Sequence, residues 1–176
     1  IIMPSPQPWR DTARDIHGDR LVEFPRYSFS SGNLSVAHLE KLLRALPCGQ
    51  AVVAVDRNIA EQVYGVEDHF FDLSDYDSAE DFVHRGIGYC VVEDNSPVAC
   101  AYASLICSQG AEVSIFVQPQ YRRKGIATAL ACSLLLHCMR YKLEPHWDAA
   151  NPESCRLAEK LGYRPAGEYS AYFLKK

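Results

Sequence analysis

The pattern of hydrophobic and polar positions is helical early in the chain and again near its end. Residues 33–46 are predicted to form a helix, because their apolar side chains recur at the spacing of one helical face: Val36, Leu39, Leu42, Leu43 and Leu46. Pro47 and Gly49 should end this helix. Three prolines within the first eight residues indicate an irregular opening segment, and AVVAV at 51–55 is a short β-prone run.

β-prone segments dominate the middle of the chain. Residues 78–85 favour a short helix that Ser78 caps. Beyond it, three runs of apolar and β-branched residues predict strands over 86–93, 98–107 and 111–117. Their connections, DNS and SQG, are too short for crossovers, so we expect these strands to be antiparallel.

The C-terminal part alternates helices and strands. A helical period spans 126–141, and 144–149 is predicted to be a strand that returns parallel to the last of the three strands. Asn151 as N-cap and Gly162 as C-terminal stop bound a second helix. Residues 163–176 are expected to form a β segment or a hairpin. The sequence therefore predicts a mixed α/β fold, with antiparallel strands followed by a βαβα unit.

Length and composition indicate one ordinary globular domain. At 176 residues with 48% hydrophobic content, we expect a single domain comprising an opening segment with its helix (1–50), an antiparallel part (51–117) and a second half (118–176). Position 1 is not Met, so we expect the native protein to continue upstream. The net charge of −4 and the lack of a long apolar run argue against nucleic-acid and membrane partners, while the oligomeric state stays open.

The cysteines suggest a reducing environment. The seven cysteines are odd in number, scattered and without C-x-x-C spacing. This distribution favours small buried thiols over a disulfide framework or a zinc site, and it indicates a cytoplasmic location.

The stretch 120–130, QYRRKGIATAL, places three cations and a glycine where the long helix begins. A helix N-terminus presents unpaired N–H groups and about half a positive charge, which together stabilise an anion. Cations at this end oppose the helix dipole unless an anion is bound, and a glycine lets that anion approach. The stretch therefore indicates a phosphate site, with a solvated basic turn as the alternative. The fingerprints of ATP and dinucleotide loops do not fit.

Arg122, Gly125 and Ala127 form the pattern R-x-x-G-x-A between a strand and a long apolar helix. This pattern resembles the acyl-CoA pyrophosphate loop of the GNAT N-acetyltransferase superfamily, in which a later Asn-led helix ending in Gly-aromatic also recurs. The resemblance covers about residues 85–173. The segments GIGYCVVED and PHWDAANPESCRLAEKLGY are similar to one branch, the zwittermicin A resistance-type acetyltransferases. The resemblance implies a GNAT-like mixed sheet whose parallel central strands are splayed.

The resemblance implies acetyl-CoA as cosubstrate, bound by the second half of the chain, and no metal. The backbone of strand 113–117 would pair with the pantetheine amides, and the loop before the helix would bind the pyrophosphate. A plain helix cap is the alternative for Asn151, and we expect the Ile115 and Val117 side chains in the core. The implied cofactor-binding residues are Ile115, Phe116, Val117, Arg122, Arg123, Lys124, Gly125, Ile126, Ala127, Thr128, Asn151 and Ser154.

The resemblance also implies a general base for the attacking amine. Glu112, thirteen residues before Gly125, lies close to where lysine-acetylating members of the superfamily carry their glutamate. Burial would raise its pKa toward a useful value. A partly solvated strand-end acid is the alternative. His146 and Asp148 lie on the strand that should reach the same site.

The general acid departs from the pattern of the superfamily. Many members carry a tyrosine seven residues after the helix Asn, and this chain has Ala158 there. The acid must then come from elsewhere in the chain, or water must serve. Tyr169 is the expected replacement, with Tyr172 as a second candidate, and a plain strand aromatic is the alternative for each.

The acidic stretch 56–94 covers the region where the superfamily builds its acceptor site. Eleven acids against two arginines would attract a cationic acceptor, although a solvated face explains the same pattern. We therefore expect an acetyl-CoA-dependent N-acetyltransferase acting on a primary amine of a small cationic molecule, such as an antibiotic-like aminopolyol. A non-catalytic acyl-CoA-binding sensor or regulatory module is the alternative. A transferase acting on charged tRNA or protein termini is a third, which the acidic acceptor region disfavours.

Overall fold

The secondary structure comes from a computed structural model, which describes residues 7–46, 52–64, 71–73 and 75–175. Its helices are α1 (Gln7–His17), α2 (Val36–Arg44), α3 (Arg57–Val63), α4 (Ala79–Arg85), α5 (Ile126–Arg140) and α6 (Pro152–Leu161). Its strands are β1 (Leu21–Ser30), β2 (Val52–Ala54), β3 (Gly88–Glu93), β4 (Ser96–Ile106), β5 (Gly110–Val117), β6 (Glu144–Ala149) and β7 (Arg164–Leu174). Short 3-10 turns span Gly18–Arg20 and Pro119–Tyr121.

All seven strands belong to one mixed sheet, in the order β2-β3-β4-β5-β6-β1-β7. Neighbouring strands are antiparallel except β5 and β6, which are parallel. That parallel pairing joins Gly110, Ala111 and Glu112 to the first three residues of β6 and then stops. The two strands diverge beyond this point. The predicted mixed α/β fold, with antiparallel strands followed by a βαβα unit, is confirmed.

Local sequence signals explain several element ends. Asp94 and Asn95, which connect β3 to β4, both have left-handed φ angles of 50° and 61°. Asp and Asn tolerate this conformation, which matches the twist of a two-residue hairpin. The Ser78 side chain caps α4, and the Asn151 side chain caps α6. Gly162 ends α6 with a φ of 108°. The predicted caps are therefore confirmed.

The two faces of the sheet pack against different helices. α5 covers one face, where Leu130, Leu134 and Cys138 pack on β3, β4 and β5. α2 and α6 continue this layer around Trp147 of β6. α3 and α4 pack on the opposite face, around Tyr102 of β4.

The structure corrects the predicted irregular opening segment. α1 and the ten-residue strand β1 lie there. Pro25 and the charged residues Glu23 and Arg26 break the apolar alternation by which a strand is recognised. The C-terminal segment is one strand, β7, rather than a hairpin, and it pairs with β1 from the other end of the chain.

Some predicted features differ at their ends or lie outside the described residues. The predicted helix over 33–46 is shorter, because α2 runs from Val36 to Arg44. Position 51 of the predicted strand, the proposed helix stops Pro47 and Gly49, and the acids Glu67 and Asp68 are not among the described residues. Within the described part of the chain, no helix is both long enough and apolar enough to cross a lipid bilayer.

Candidate active site

A cavity of about 1190 Å³ occupies the gap between β5 and β6. The gap exists because strand pairing stops at Glu112 and His146. Beyond that point β6 pairs with β1, as Ser28 opposite Asp148 shows, and β5 pairs with β4 as far as Val117. The walls come from β5, the start of α5, one side of α6, and side chains of β1 and β7.

The backbone of β5 forms an open edge along this cavity. In the part of the chain that the structure describes, β5 has a strand on one side only beyond Glu112. Ile115, Phe116 and Val117 line the cavity. The Ile115 and Val117 side chains pack toward α5, and the Phe116 side chain packs toward α3 and α4. The backbone N–H and C=O groups of this edge can therefore pair with an extended ligand.

One end of the cavity is positively charged. Arg122 and Arg123 line it from the loop before α5, and Lys160 lines it from α6. Arg122 is anchored, because its Nε donates a hydrogen bond to the Val117 carbonyl at 2.9 Å. Lys160 Nζ donates to Thr128 Oγ1 at 3.2 Å. We call Arg122, Arg123, Lys160 and the first turn of α5 the cationic end. Lys160 was missed from the sequence, although it follows Asn151, Ser154 and Leu157 at helical spacing.

The first turn of α5 suits an anion. Ile126, Ala127 and Thr128 line the cavity. Gly125, at the N-cap position, has no side chain to accept their backbone N–H groups, and the turn contains no acidic residue. These N–H groups and the helix dipole therefore favour a negatively charged group at this end.

Two residues of the predicted loop have different surroundings from those expected. Lys124 does not line the cavity; its Nζ lies 5.4 Å from the centre of the Tyr121 ring. Gly125 has a φ of 83°, and a Cβ added to it would lie 2.6 Å from Leu46 Cδ2. The left-handed backbone favours glycine here whether or not a phosphate is bound, and the Leu46 side chain would have to move for any larger residue.

Asn151 and Ser154 line the cavity and also support each other. Asn151 Oδ1 accepts a hydrogen bond from the Ser154 backbone N–H at 2.9 Å. Ser154 Oγ accepts one from Trp147 Nε1 at 3.2 Å. Asn151 therefore caps α6 and also lines the cavity.

Position 158 faces away from the cavity. Ala158 is fully buried in the core shared by α2, α5 and α6. Leu157 and Lys160 are the neighbouring residues of α6 that face the cavity. A general acid in this chain therefore cannot come from position 158.

The other end of the cavity holds two carboxylates, Glu112 of β5 and Asp148 of β6. Burial is the main cause that raises the pKa of Glu112 to about 7; the negative charge of Asp148 adds to this rise, and Arg26 opposes it. A carboxyl group with this pKa exists in both protonation states near neutral pH.

Arg26 and Tyr169 hold Asp148 from two further strands. Arg26 Nε lies 3.2 Å from Asp148 Oδ1, and Arg26 Nη2 donates to the Asp148 backbone carbonyl at 2.8 Å. The Tyr169 hydroxyl donates to Asp148 Oδ2. Arg26 and Tyr169 are opposite each other in the β1–β7 register. We call Glu112, Asp148, Arg26 and Tyr169 the carboxylate end. Arg26 was missed from the sequence, because β1 was not recognised as a strand.

Two other residues considered from the sequence lie outside the cavity. His146 is adjacent to Glu112 in the β5–β6 register, but its side chain is exposed and does not line the cavity. Tyr172 is buried, with the Arg14 guanidinium 5.9 Å from its ring centre. Strand alternation turns it to the face of β7 opposite Tyr169. Neither side chain is placed to exchange a proton in the cavity.

Three buried thiols among the described residues are unreactive, and no metal site is found in the described part of the chain. The six described cysteines are free, and burial raises the pKa of Cys90, Cys132 and Cys138 to about 11. Such thiols are poor nucleophiles near neutral pH. Among residues that the structure describes, no group of three or more His, Cys, Asp or Glu side chains could hold a metal ion.

Two of the proteins that resemble this chain are described as N-acetyltransferases or as N-acetyltransferase-like. YdfB of Bacillus subtilis strain 168, an uncharacterized N-acetyltransferase, is 26% identical over 174 residues, which are 98% of this chain and 65% of YdfB. A GCN5-related N-acetyltransferase-like protein from Streptococcus suis 89/1591 is 32% identical with a TM-score of 0.86, over 96% of this chain and 68% of that one. This chain thus spans about two thirds of both proteins.

A more distant structure is that of an aminoglycoside N-acetyltransferase in complex with CoA. It is 20% identical with a TM-score of 0.50, over 65% of this chain and 91% of that one, and it shows the fold alone. A sequence profile described as GNAT acetyltransferase matches residues 1–172. With almost the whole chain matched, this protein belongs to the GNAT acetyltransferase family.

Proposed function

We propose that this domain transfers the acetyl group of acetyl-CoA to a primary amine of a small cationic molecule. The observation that carries this proposal is the placement of Glu112. A carboxyl group with a pKa of about 7 lines the same cavity as an open strand edge and a helix N-terminus surrounded by cations. Binding a cofactor alone would not require a carboxyl group of this kind.

The cavity fits acetyl-CoA by the chemistry of its walls. The backbone edge from Val113 to Val117 offers hydrogen bonds to the amides of the pantetheine arm. The cationic end offers the α5 N-terminus, Arg122, Arg123 and Lys160 to the phosphate groups. Asn151 and Ser154 line the wall between these two regions and the carboxylate end. We propose that Lys124, whose ammonium lies over Tyr121, contributes only through its charge.

Glu112 is proposed as the general base. Acetyl-CoA supplies the acetyl group as a thioester. An amine is largely protonated near neutral pH, and its nitrogen can attack the carbonyl carbon only after losing that proton. Glu112 accepts the proton while the new N–C bond forms and the C–S bond breaks. Because its pKa is about 7, it is basic enough to take a proton and still ionised in part at neutral pH.

Tyr169 is better suited to orient Asp148 than to act as the general acid we expected. Burial and the hydrogen bond to Asp148 raise the pKa of Tyr169 to about 12. The Tyr169 hydroxyl donates its proton to Asp148, so it is committed to that carboxylate rather than to a leaving group. We propose that water in the open cavity protonates the leaving thiolate.

The acceptor is proposed to carry positive charge and hydroxyl groups. Strand alternation puts Glu112 on the same face of the sheet as Phe116, which packs toward α3 and α4. Glu112 and Asp148 supply negative charge at this end of the cavity. Ser104 and Ser114 add hydroxyl groups to the cavity wall. These features support an aminopolyol acceptor. We also propose membership of the zwittermicin A resistance-type branch, on the similarity of the segments GIGYCVVED and PHWDAANPESCRLAEKLGY. The free, largely buried cysteines support a reducing, cytoplasmic setting.

A thiol-release assay tests this function. The domain is incubated with acetyl-CoA and a panel of amines comprising a diamine, an aminopolyol, an aminoglycoside and glutamate as the anionic control. We expect release of free CoA thiol with cationic amines but not with glutamate. Binding of acetyl-CoA without thiol release for any amine would favour the sensor or regulatory module instead.

A further inference from the structure

We propose that Arg26 and Tyr169 fix the Asp148 carboxylate inside the cavity, and that this fixed charge, added to the effect of burial, shifts the pH at which Glu112 takes a proton. Asp148 is then a positioning residue that acts through Glu112. This inference rests on the proposed role of Glu112 as base.

The hydrogen bonds of Asp148 favour this role over that of a second base. Arg26 reaches one carboxylate oxygen at 3.2 Å, and Tyr169 donates to the other. Arg26 also bonds the Asp148 backbone carbonyl at 2.8 Å, so the guanidinium holds the strand as well as the side chain. With both oxygens engaged by donors, the Asp148 side chain is held in one orientation inside the cavity.

The strand registers give this cluster its rigidity. Asp148 is two residues beyond His146, the partner of Glu112, and lies opposite Ser28 of β1. Arg26 lies opposite Tyr169 in the next strand pair. The side chains of Arg26 and Asp148 are only 20% and 18% exposed, so solvent screens their charges little.

The two fixed charges act on Glu112 in opposite directions. The negative Asp148 makes ionisation of Glu112 harder, and the positive Arg26 makes it easier. Other titratable groups on the elements around Glu112 include Glu144 and His146 on β6, Tyr102 on β4, Tyr169 on β7 and Tyr163 before β7. Tyr163 donates to the Pro145 carbonyl at 3.0 Å and stays protonated, because burial raises its pKa strongly. On β4, the residue opposite Glu112 is Leu105.

An NMR titration of protein labelled with ¹³C at the glutamate side-chain carboxyls tests the proposal directly. The Glu112 signal is the one that Glu112→Gln removes. We expect Asp148→Asn to lower its midpoint by about one pH unit, the scale of a like charge nearby. Arg26→Gln should raise the midpoint, and Arg26→Lys, which keeps the charge, should return it close to wild type. His146→Gln should leave it unchanged.

The pH profile of kcat/KM should show the same two opposite shifts of its acidic limb. Unchanged midpoints in both Asp148→Asn and Arg26→Gln, or shifts of the same sign, would overturn the proposal. If Asp148→Asn does not fold, Arg26→Gln alone tests the proposal. A Glu112 titration midpoint that does not rise in Arg26→Gln would then contradict it.

The Glu112→Gln variant separates this inference from the proposed function. If it loses turnover while the midpoints of the other variants stay fixed, the base is right and the fixed-charge proposal is wrong. If the midpoints shift as expected while Glu112→Gln keeps wild-type turnover, the electrostatic coupling holds and the proposed base is wrong.

Discussion

The cationic end and the carboxylate end of the cavity are assembled differently. Arg122, Arg123 and the first turn of α5 come from one continuous stretch, joined by Lys160 from α6. The four side chains of the carboxylate end come from four strands, β1, β5, β6 and β7. The cationic end depends on local backbone conformation. Losing one of its side chains should therefore weaken CoA binding only partly. The carboxylate end depends on sheet register and on single proton-transfer groups. Losing one of these groups should therefore lower turnover by a large factor.

The largest effect should come from Glu112→Gln. We expect turnover to fall by about 10²–10⁴-fold, the usual range for a positioned general base. The affinity for acetyl-CoA should be unchanged, because the edge of β5 and the cationic end are untouched. Raising the pH should recover part of the loss, since more amine is then already deprotonated.

Steady-state kinetics and calorimetric binding of CoA measure the two quantities separately. Glu168→Gln, at an exposed position of β7, is the matched control. If Glu112→Gln keeps near wild-type turnover, the carboxylate end does not depend on a single proton-transfer group, and the difference between the two ends is not as described.

The same variant should change the pH dependence of stability. The pKa of Glu112 is raised from 4.5 to about 7 in the folded state, so ionising it costs free energy there but not in the unfolded chain. Wild type should therefore lose stability relative to Glu112→Gln as the pH rises from 4.5 to 7, and the difference should stay constant above that. We expect about 2 kcal/mol at the plateau, after allowance for solvent screening.

Urea unfolding at several pH values measures this difference. Glu168→Gln should show no such trend. A constant difference between Glu112→Gln and wild type from pH 4 to 8 would show that Glu112 is an ordinary solvated carboxylate.

A smaller effect is expected from Lys160→Gln at the cationic end. Loss of one charged contact to a phosphate should weaken CoA binding by about tenfold and leave kcat at saturating acetyl-CoA unchanged. The difference from wild type should shrink at high salt, because exposed charges are screened.

Calorimetric titration with CoA at two salt concentrations checks this expectation. Lys41→Gln, an exposed substitution on α2 away from the cavity, provides the control. If Lys160→Gln and wild type bind CoA with equal affinity at low salt, Lys160 does not contact the phosphate groups.

The smallest effect should follow from Tyr169→Phe. If Tyr169 only orients Asp148, kcat should fall by no more than about fivefold, because Arg26 still holds the carboxylate. A loss of about 10²-fold or more, together with a missing basic limb in the pH–rate profile, would restore the role of general acid.

The cationic end could largely be predicted from the sequence, because Gly125, the preceding arginines and the Asn151 cap are local signals at fixed spacing. The closeness of Leu46 to Gly125 could not be predicted, because the two residues are far apart in the sequence. At the carboxylate end Glu112 could be located by its place on β5. Arg26 could not, because its strand lacks apolar alternation and its position opposite Tyr169 is visible only in the folded sheet.

The place of β1 between β6 and β7 has a consequence for biosynthesis. A ribosome makes β1 among the first elements of this chain and its two partners among the last. Arg26 therefore has neither Asp148 nor Tyr169 to contact until more than a hundred further residues have been translated. We expect a released polypeptide truncated before residue 164 to form the α5 layer but to leave β1 sensitive to protease. Protection of β1 in such a polypeptide would contradict this order. The nascent polypeptide thus contains every residue of the cationic end before it contains Tyr169, the last member of the carboxylate end.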